Sequence, residues 1–196
     1  MGEFGVPELI SGALSTGSPA GSPVDVTYGF LEANKDVFRM TDPRSELVLV
    51  RDEVDSLTHK RHQRFRQQYH GIEVRGGGLT AHFSRKGLLE TIGAEWYPDI
   101  TLPLLPSVSE ESALSVFFAE HGIPRLSGPA HSTRLIVLPL QNRYHLAWQI
   151  NLRDWEDFVD ALEGGIILSL SASRRSQPTD KAQPRSTPGA PPVRVG

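Results

Sequence analysis

RFRQQYHGIEVRGGGL, residues 64–79, reads as two strands and the turn between them. Phe65, Gln67 and Tyr69 share one face of the first strand, while Arg64, Arg66 and Gln68 share the other, because side chains alternate along extended backbone. His70-Gly71 supplies a tight hairpin turn before Ile72-Glu73-Val74, since glycine accepts the positive φ such turns need. Gly76, Gly77 and Gly78 predict a bulge or bend inside the returning strand, which then resumes its alternation with Leu79, Ala81 and Phe83.

Upstream, Val26, Phe30, Ala33 and Val37 recur at helical spacing, predicting a helix over Val26 to Met40 that Asp42-Pro43 ends. Glu46 to Leu57 reads as a strand. Downstream, a strand follows at Leu88 to Trp96, then a connector with prolines at 98, 103 and 106. Ser107 with Glu110 forms a capping-box pattern, opening a helix whose stripe is Leu114, Phe117, Phe118 and His121. Strands are expected again at Arg134–Leu140, Tyr144–Leu152, Trp155–Leu162 and Ile166–Leu170. The order is helix then strands, twice. The expected fold class is therefore α+β: two small units, each a helix packed on an antiparallel β-sheet.

Twelve of the first 24 residues are Gly, Ser or Pro, which predicts an N-terminal segment, 1–24, that buries too little apolar surface to order. The tail, 171–196, has five prolines and a balance of +4, and reads as a flexible basic linker. The folded units then occupy 25–97 and 107–170, joined by the connector 98–106. With a net charge of −3 over 196 residues, the chain has no general attraction for nucleic acid or anionic membrane. The basic run Lys60 to Arg66 interleaves one aromatic, and parity turns Phe65 away from Arg64 and Arg66, against a stacking platform for bases. No apolar run is long enough to span a membrane, and the N-terminus lacks the pattern of a signal peptide. Absent cysteine excludes disulfides, thiol catalysis and cysteine-based zinc sites.

RFRQQYHGIEV followed by Arg75-Gly76-Gly77-Gly78-Leu79 resembles the RFQQ-Y-GIPV-GG-L hairpin of the fungalysin/thermolysin propeptide (FTP) domain. Glu32-Ala33-Asn34-Lys35 through Leu47-Val48-Leu49-Val50 is similar to that domain's helix and first strand. Leu146-Ala147-Trp148-Gln149-Ile150 and Trp155 to Ala161 resemble the LAW-V and W-YFVDA segments of an adjoining PepSY-like unit. Two departures stand out: Glu73 replaces the hairpin's proline, and Asp160-Ala161-Leu162-Glu163-Gly164-Gly165 replaces the family's D-A-x-T-G-E ending. The resemblance makes 25–97 FTP-like and 107–170 PepSY-like. It implies a secreted or cell-envelope pro-domain that chaperones and inhibits the catalytic domain of a thermolysin-like zinc metalloprotease. A free-standing interaction module of the same fold is the alternative.

The resemblance also marks Arg64, Phe65, Gln67, Gln68, Tyr69, Gly71, Trp155 and Asp160 as the residues to contact that partner, each with a structural role as its rival reading. No catalytic residue, metal ligand or cofactor is assigned. No HExxH sequence occurs, so the paired histidines of a zincin are missing. His59 and His62, three apart, point to opposite faces of a strand and read as solvated surface. Among Asp154, Glu156, Asp157 and Asp160, no histidine or serine partner is assignable from sequence. Gly76-Gly77-Gly78 lacks the Lys-Ser/Thr pair of a phosphate loop. Arg174-Arg175 is a candidate processing site.

Overall fold

The computed structural model describes residues 4–15, 21–123 and 131–171; Arg174 and Arg175, with the tail they belong to, lie outside these. The chain runs β1 (Leu9–Ser11), α1 (Pro23–Ala33), α2 (Lys35–Phe38), α3 (Pro43–Glu46), β2 (Leu47–Val54), β3 (Arg61–Tyr69), β4 (Ile72–Phe83) and β5 (Leu89–Glu95). After the proline connector come α4 (Glu110–Glu120), β6 (Ser132–Leu140), β7 (Arg143–Leu152), β8 (Trp155–Asp160) and β9 (Ile166–Ser171).

All nine strands join one mixed sheet, in the order β1-β5-β4-β6-β7-β8-β9, with β3 and then β2 on the other edge of β4. This overturns the expectation of two separate helix-on-antiparallel-sheet units: the described residues are mostly β, a curled half-barrel with four short helices. The physical reason lies in β4. Its residues 78–83 pair with β5, while Glu73 and Val74, nearer its start, pair in parallel with Ile136 and Val137 of β6. One long strand thereby belongs to both halves. The glycines make this possible. Between the pairs Arg66↔Gly78 and Gln68↔Glu73, the four residues from Val74 to Gly77 stand against the single Gln67. Such an excess bends a strand and frees part of its edge for another partner.

Local sequence explains the helices. Ser22 caps α1 by accepting from the Asp25 N–H, and Pro23 fits the first turn, where its missing N–H costs nothing. Asn34 turns its side-chain amide back onto the Phe30 carbonyl, so the helix expected over 26–40 is split into α1 and α2. Helix α4 is capped by Ser109 and not by Ser107. The Ser107 and Val108 N–H groups both donate to the Ala161 carbonyl, which holds them extended until Ser109.

Three buried clusters follow. The first packs Tyr28, Leu31 and Phe38 against Phe65, Leu79, Phe83 and Ile92 of the N-terminal strands. The second packs Ala113 and Phe117 of α4 on Ile150, Leu152 and Val159. The third, Ile136, Leu138, Ala147 and Phe158, lies on the face of the C-terminal strands away from α4. Of the N-terminal segment the structure describes residues 4–15 and 21–24. Val6 is buried, and β1 pairs antiparallel with the edge of β5. A few apolar residues docking on a finished edge outweigh a Gly/Ser/Pro-rich composition.

Candidate docking face

Helices α1 and α4 sit on the same side of the sheet; the opposite side carries no helix, and over the C-terminal strands it holds the third buried cluster. Continuity of that helix-free side across both halves is fixed by Glu73, whose Oε2 lies 3.3 Å from Arg66 Nη1 and 2.6 Å from Arg134 Nη1. From there the network continues. Arg134 Nε donates to Gln149 Oε1 at 2.6 Å, Gln149 Nε2 donates to Glu156 Oε1 at 2.5 Å, and Arg75 Nη2 donates to the same oxygen at 2.7 Å. Charge-assisted bonds of this length are stronger than neutral ones.

On the N-terminal half, strand register sets three cross-strand rows on this face. They are Glu53-His62-His82-Thr91, Arg51-Arg64-Thr80-Gly93 and Val48-Arg66-Gly78-Glu95. Glycine at 78 and 93 leaves only backbone at those two points of the floor, and neither position has spare room. A Cβ at Gly93 would meet Thr80 Oγ1 at 2.9 Å, and one at Gly78 would collide with the Phe65 carbonyl. The result is a groove of about 660 Å³ lined by Arg51, Arg64, Arg66, Arg75, Glu73 and Glu95 together with the glycines. Arg51 is paired with Glu53 at 2.7 Å and Arg75 with Glu156, whereas Arg64 is exposed and has no ion pair among the described residues.

The residues singled out from sequence fall in different places. Arg64 lines the groove. Phe65 is buried on the helix side, edge-on to Tyr28 at 5.4 Å. Gln67 is buried and uses both ends of its amide on Tyr97: Nε2 donates to the Tyr97 carbonyl at 2.7 Å, and Oε1 accepts the Tyr97 N–H at 3.1 Å. Gln68 donates to the Ser45 carbonyl, and the Tyr69 hydroxyl meets the backbone of Leu102 at 3.4 Å. Gly71, at φ 85°, and His70, at φ 48°, form the two-residue turn between Tyr69 and Ile72. Trp155 lies against the His121 ring at 4.1 Å, and Asp160 Oδ1 accepts from the N–H groups of Leu162 and Glu163. Gln67 and Tyr69 are thus brought together as a clamp on the connector; Trp155 and Asp160 belong to the other half.

Sequence reasoning missed the rest of the face. Glu73, Arg75, Arg134, Gln149 and Glu156 carry no local signal, because they meet only through the parallel β4–β6 pairing. It also missed partners for one carboxylate. Buried Asp157 accepts from Ser169 Oγ at 2.6 Å and contacts His121 Nε2 at 2.6 Å. The carboxylate stands between the other two groups, so the histidine does not take the serine proton as it would in a nucleophilic triad. This trio ties α4 to β8 and β9.

Comparison with known proteins gives the face a context. A family model described as the Fungalysin/Thermolysin Propeptide Motif matches residues 45–95. Thermolysins of Alicyclobacillus acidocaldarius subsp. acidocaldarius and of Bacillus caldolyticus are each 26% identical over 195 residues, covering 90% of this chain and 34% of theirs. The thermostable neutral protease NprT of Geobacillus stearothermophilus is 25% identical over 196 residues, covering 90% and 35%. The chain spans about a third of the length of the curated relatives it matches. The matched residues, 45–95, contain all of β2, β3, β4 and β5.

Proposed function

We propose that this chain is a pro-domain that assists folding of a thermolysin-like zinc metalloprotease catalytic domain and blocks it, docking through the helix-free face. One observation carries the reading: the motif at 45–95 coincides with the strands that build the groove, where Arg64 has no ion pair among the described residues. A broad, helix-free face that is polar at its groove suits recognition of another protein's surface, with affinity spread over many contacts. An acidic or hydrogen-bond-accepting segment of the partner would meet Arg64. Gln67, Tyr69 and Gly71 then serve indirectly, by holding the hairpin and connector in place.

On this reading the second half, α4 with β6 to β9, is the PepSY-like unit, and the chain is not itself catalytic. It travels with its protease to the exterior or the envelope. Among the described residues no helix is long and apolar enough to cross a membrane.

Titrating the full chain against the thermolysin catalytic domain tests the proposal. Peptidase activity is expected to fall at micromolar chain, and the refolding yield of denatured protease to rise severalfold. Arg64→Glu, which places like charge against an acidic partner surface, is expected to weaken inhibition at least tenfold while the variant stays folded. Unchanged activity together with unchanged refolding yield would end the proposal.

A further inference from the structure

We propose that His62 and His82 form a two-imidazole site for a borderline divalent cation such as Ni²⁺, Cu²⁺ or Zn²⁺. The two residues are direct cross-strand partners on β3 and β4. Their rings stand nearly edge to face, with centroids 4.9 Å apart, and the Nδ1 atoms face each other at 2.6 Å. Imidazole nitrogen is a preferred donor for these ions. A cation held at about 2.0–2.1 Å from each nitrogen needs the pair roughly 3.0–3.3 Å apart, so the rings must open by about half an ångström. Both side chains are half-buried at a sheet surface, and small χ changes accomplish that.

Protonation suits the ion as well. The present contact needs one Nδ1 as donor and the other as acceptor, so at least one ring is neutral. On binding, the shared Nδ1 proton leaves and the donor ring is reprotonated at Nε2 through solvent. Two lone pairs are then free, with no net proton released from a neutral pair. Among the described residues no cluster of three or more metal-binding side chains converges, so water completes the coordination. Glu53, next in the cross-strand row, adds negative charge nearby, although Arg51 pairs with it.

The site stands independently of the docking reading, because its test involves no protease. NiCl₂ is added to the tagless full chain and the unfolding midpoint followed. With free Ni²⁺ tenfold above Kd the midpoint should rise by about 3–6 °C. His62→Gln and His82→Gln should each abolish the rise, and His59→Gln, in the neighbouring turn, should keep it. The wild-type chain supplies a second readout that does not depend on variants folding. Substoichiometric Cu²⁺ should broaden the ring-proton resonances of His62 and His82 before those of His59, His70, His121, His131 and His145. A midpoint that does not respond, a rise of equal size in the double variant, or first broadening at another histidine would overturn the site.

Discussion

Gln67 and Arg64 sit three residues apart in one strand and do opposite things. Gln67 is spent inward, its amide closing both backbone groups of Tyr97. Replacing it with Ala removes both of these hydrogen bonds in a half-buried setting, and should cost about 2–3 kcal/mol in urea unfolding. Arg64→Ala should stay within about 0.5 kcal/mol of wild type, since it removes no ion pair among the described residues. Equal losses would mean that Arg64 also holds the fold. Parity alone placed these two side chains on opposite faces, and that much was legible in the sequence. The partner of Gln67 was not, because Tyr97 lies thirty residues away and reaches it only through packing. A second residue gives a pH signature. Burial pushes the Tyr144 phenol up to about 12 from an ordinary value of 10, and its hydroxyl donates to the Pro98 carbonyl at 2.6 Å. A folded pKa above the unfolded one favours the neutral phenol in the native state. Its contribution is complete below pH 10 and lost as pH climbs through about 12. Ultraviolet titration should show one tyrosine ionising last, and Tyr144→Phe should remove that step; ionisation of all four tyrosines near pH 10 would refute it.

At the level of the elements, β4 departs furthest from a simple pattern. Its glycine run announced a bend, and the bend is there, but the sequence could not say that the loosened edge receives β6. That pairing joins segments separated by β5, the connector and α4, and the alternation of β6 is compatible with a partner on either side. The glycines themselves rank by what surrounds them. A Cβ at Gly78 runs into the Phe65 backbone, which cannot swing aside. At Gly77 it meets Gln67 Oε1 at 2.6 Å, the end of a side chain that can move at the expense of its bonds to Tyr97. Gly78→Ala should therefore destabilise by about 3 kcal/mol or more and Gly77→Ala by about 1–3 kcal/mol, overpacking against backbone being the harder to relieve. Denaturant midpoints in the reverse order would show that the strand, and not the clamp, yields at this corner. Helix α4 gives the same lesson on a smaller scale. The Ser107–Glu110 pattern marked a start, but hydrogen bonds to Ala161, over fifty residues on, delay it to Ser109.

For the whole molecule, the question is how two packed halves act as one body. The N-terminal cluster is the larger, and each half has buried residues of its own. Backbone pairing between β4 and β6 amounts to two residue pairs, Glu73↔Ile136 and Val74↔Val137. Glu73 adds to this by serving Arg66 from one half and Arg134 from the other, while Arg75–Glu156 makes a second bridge across the same seam. Removing Glu73 leaves two arginines facing each other across the seam with no carboxylate between them. Attraction becomes repulsion. Glu73→Ala should therefore broaden or split thermal unfolding, the calorimetric enthalpy exceeding the van't Hoff value, while wild type melts in one transition. High salt should move wild type in the same direction, because these ion pairs are only partly buried. A sharp single transition in Glu73→Ala would assign the coupling to the β4–β6 backbone pairs and the Arg75–Glu156 bridge instead. Glu73 would then serve only to shape the open face.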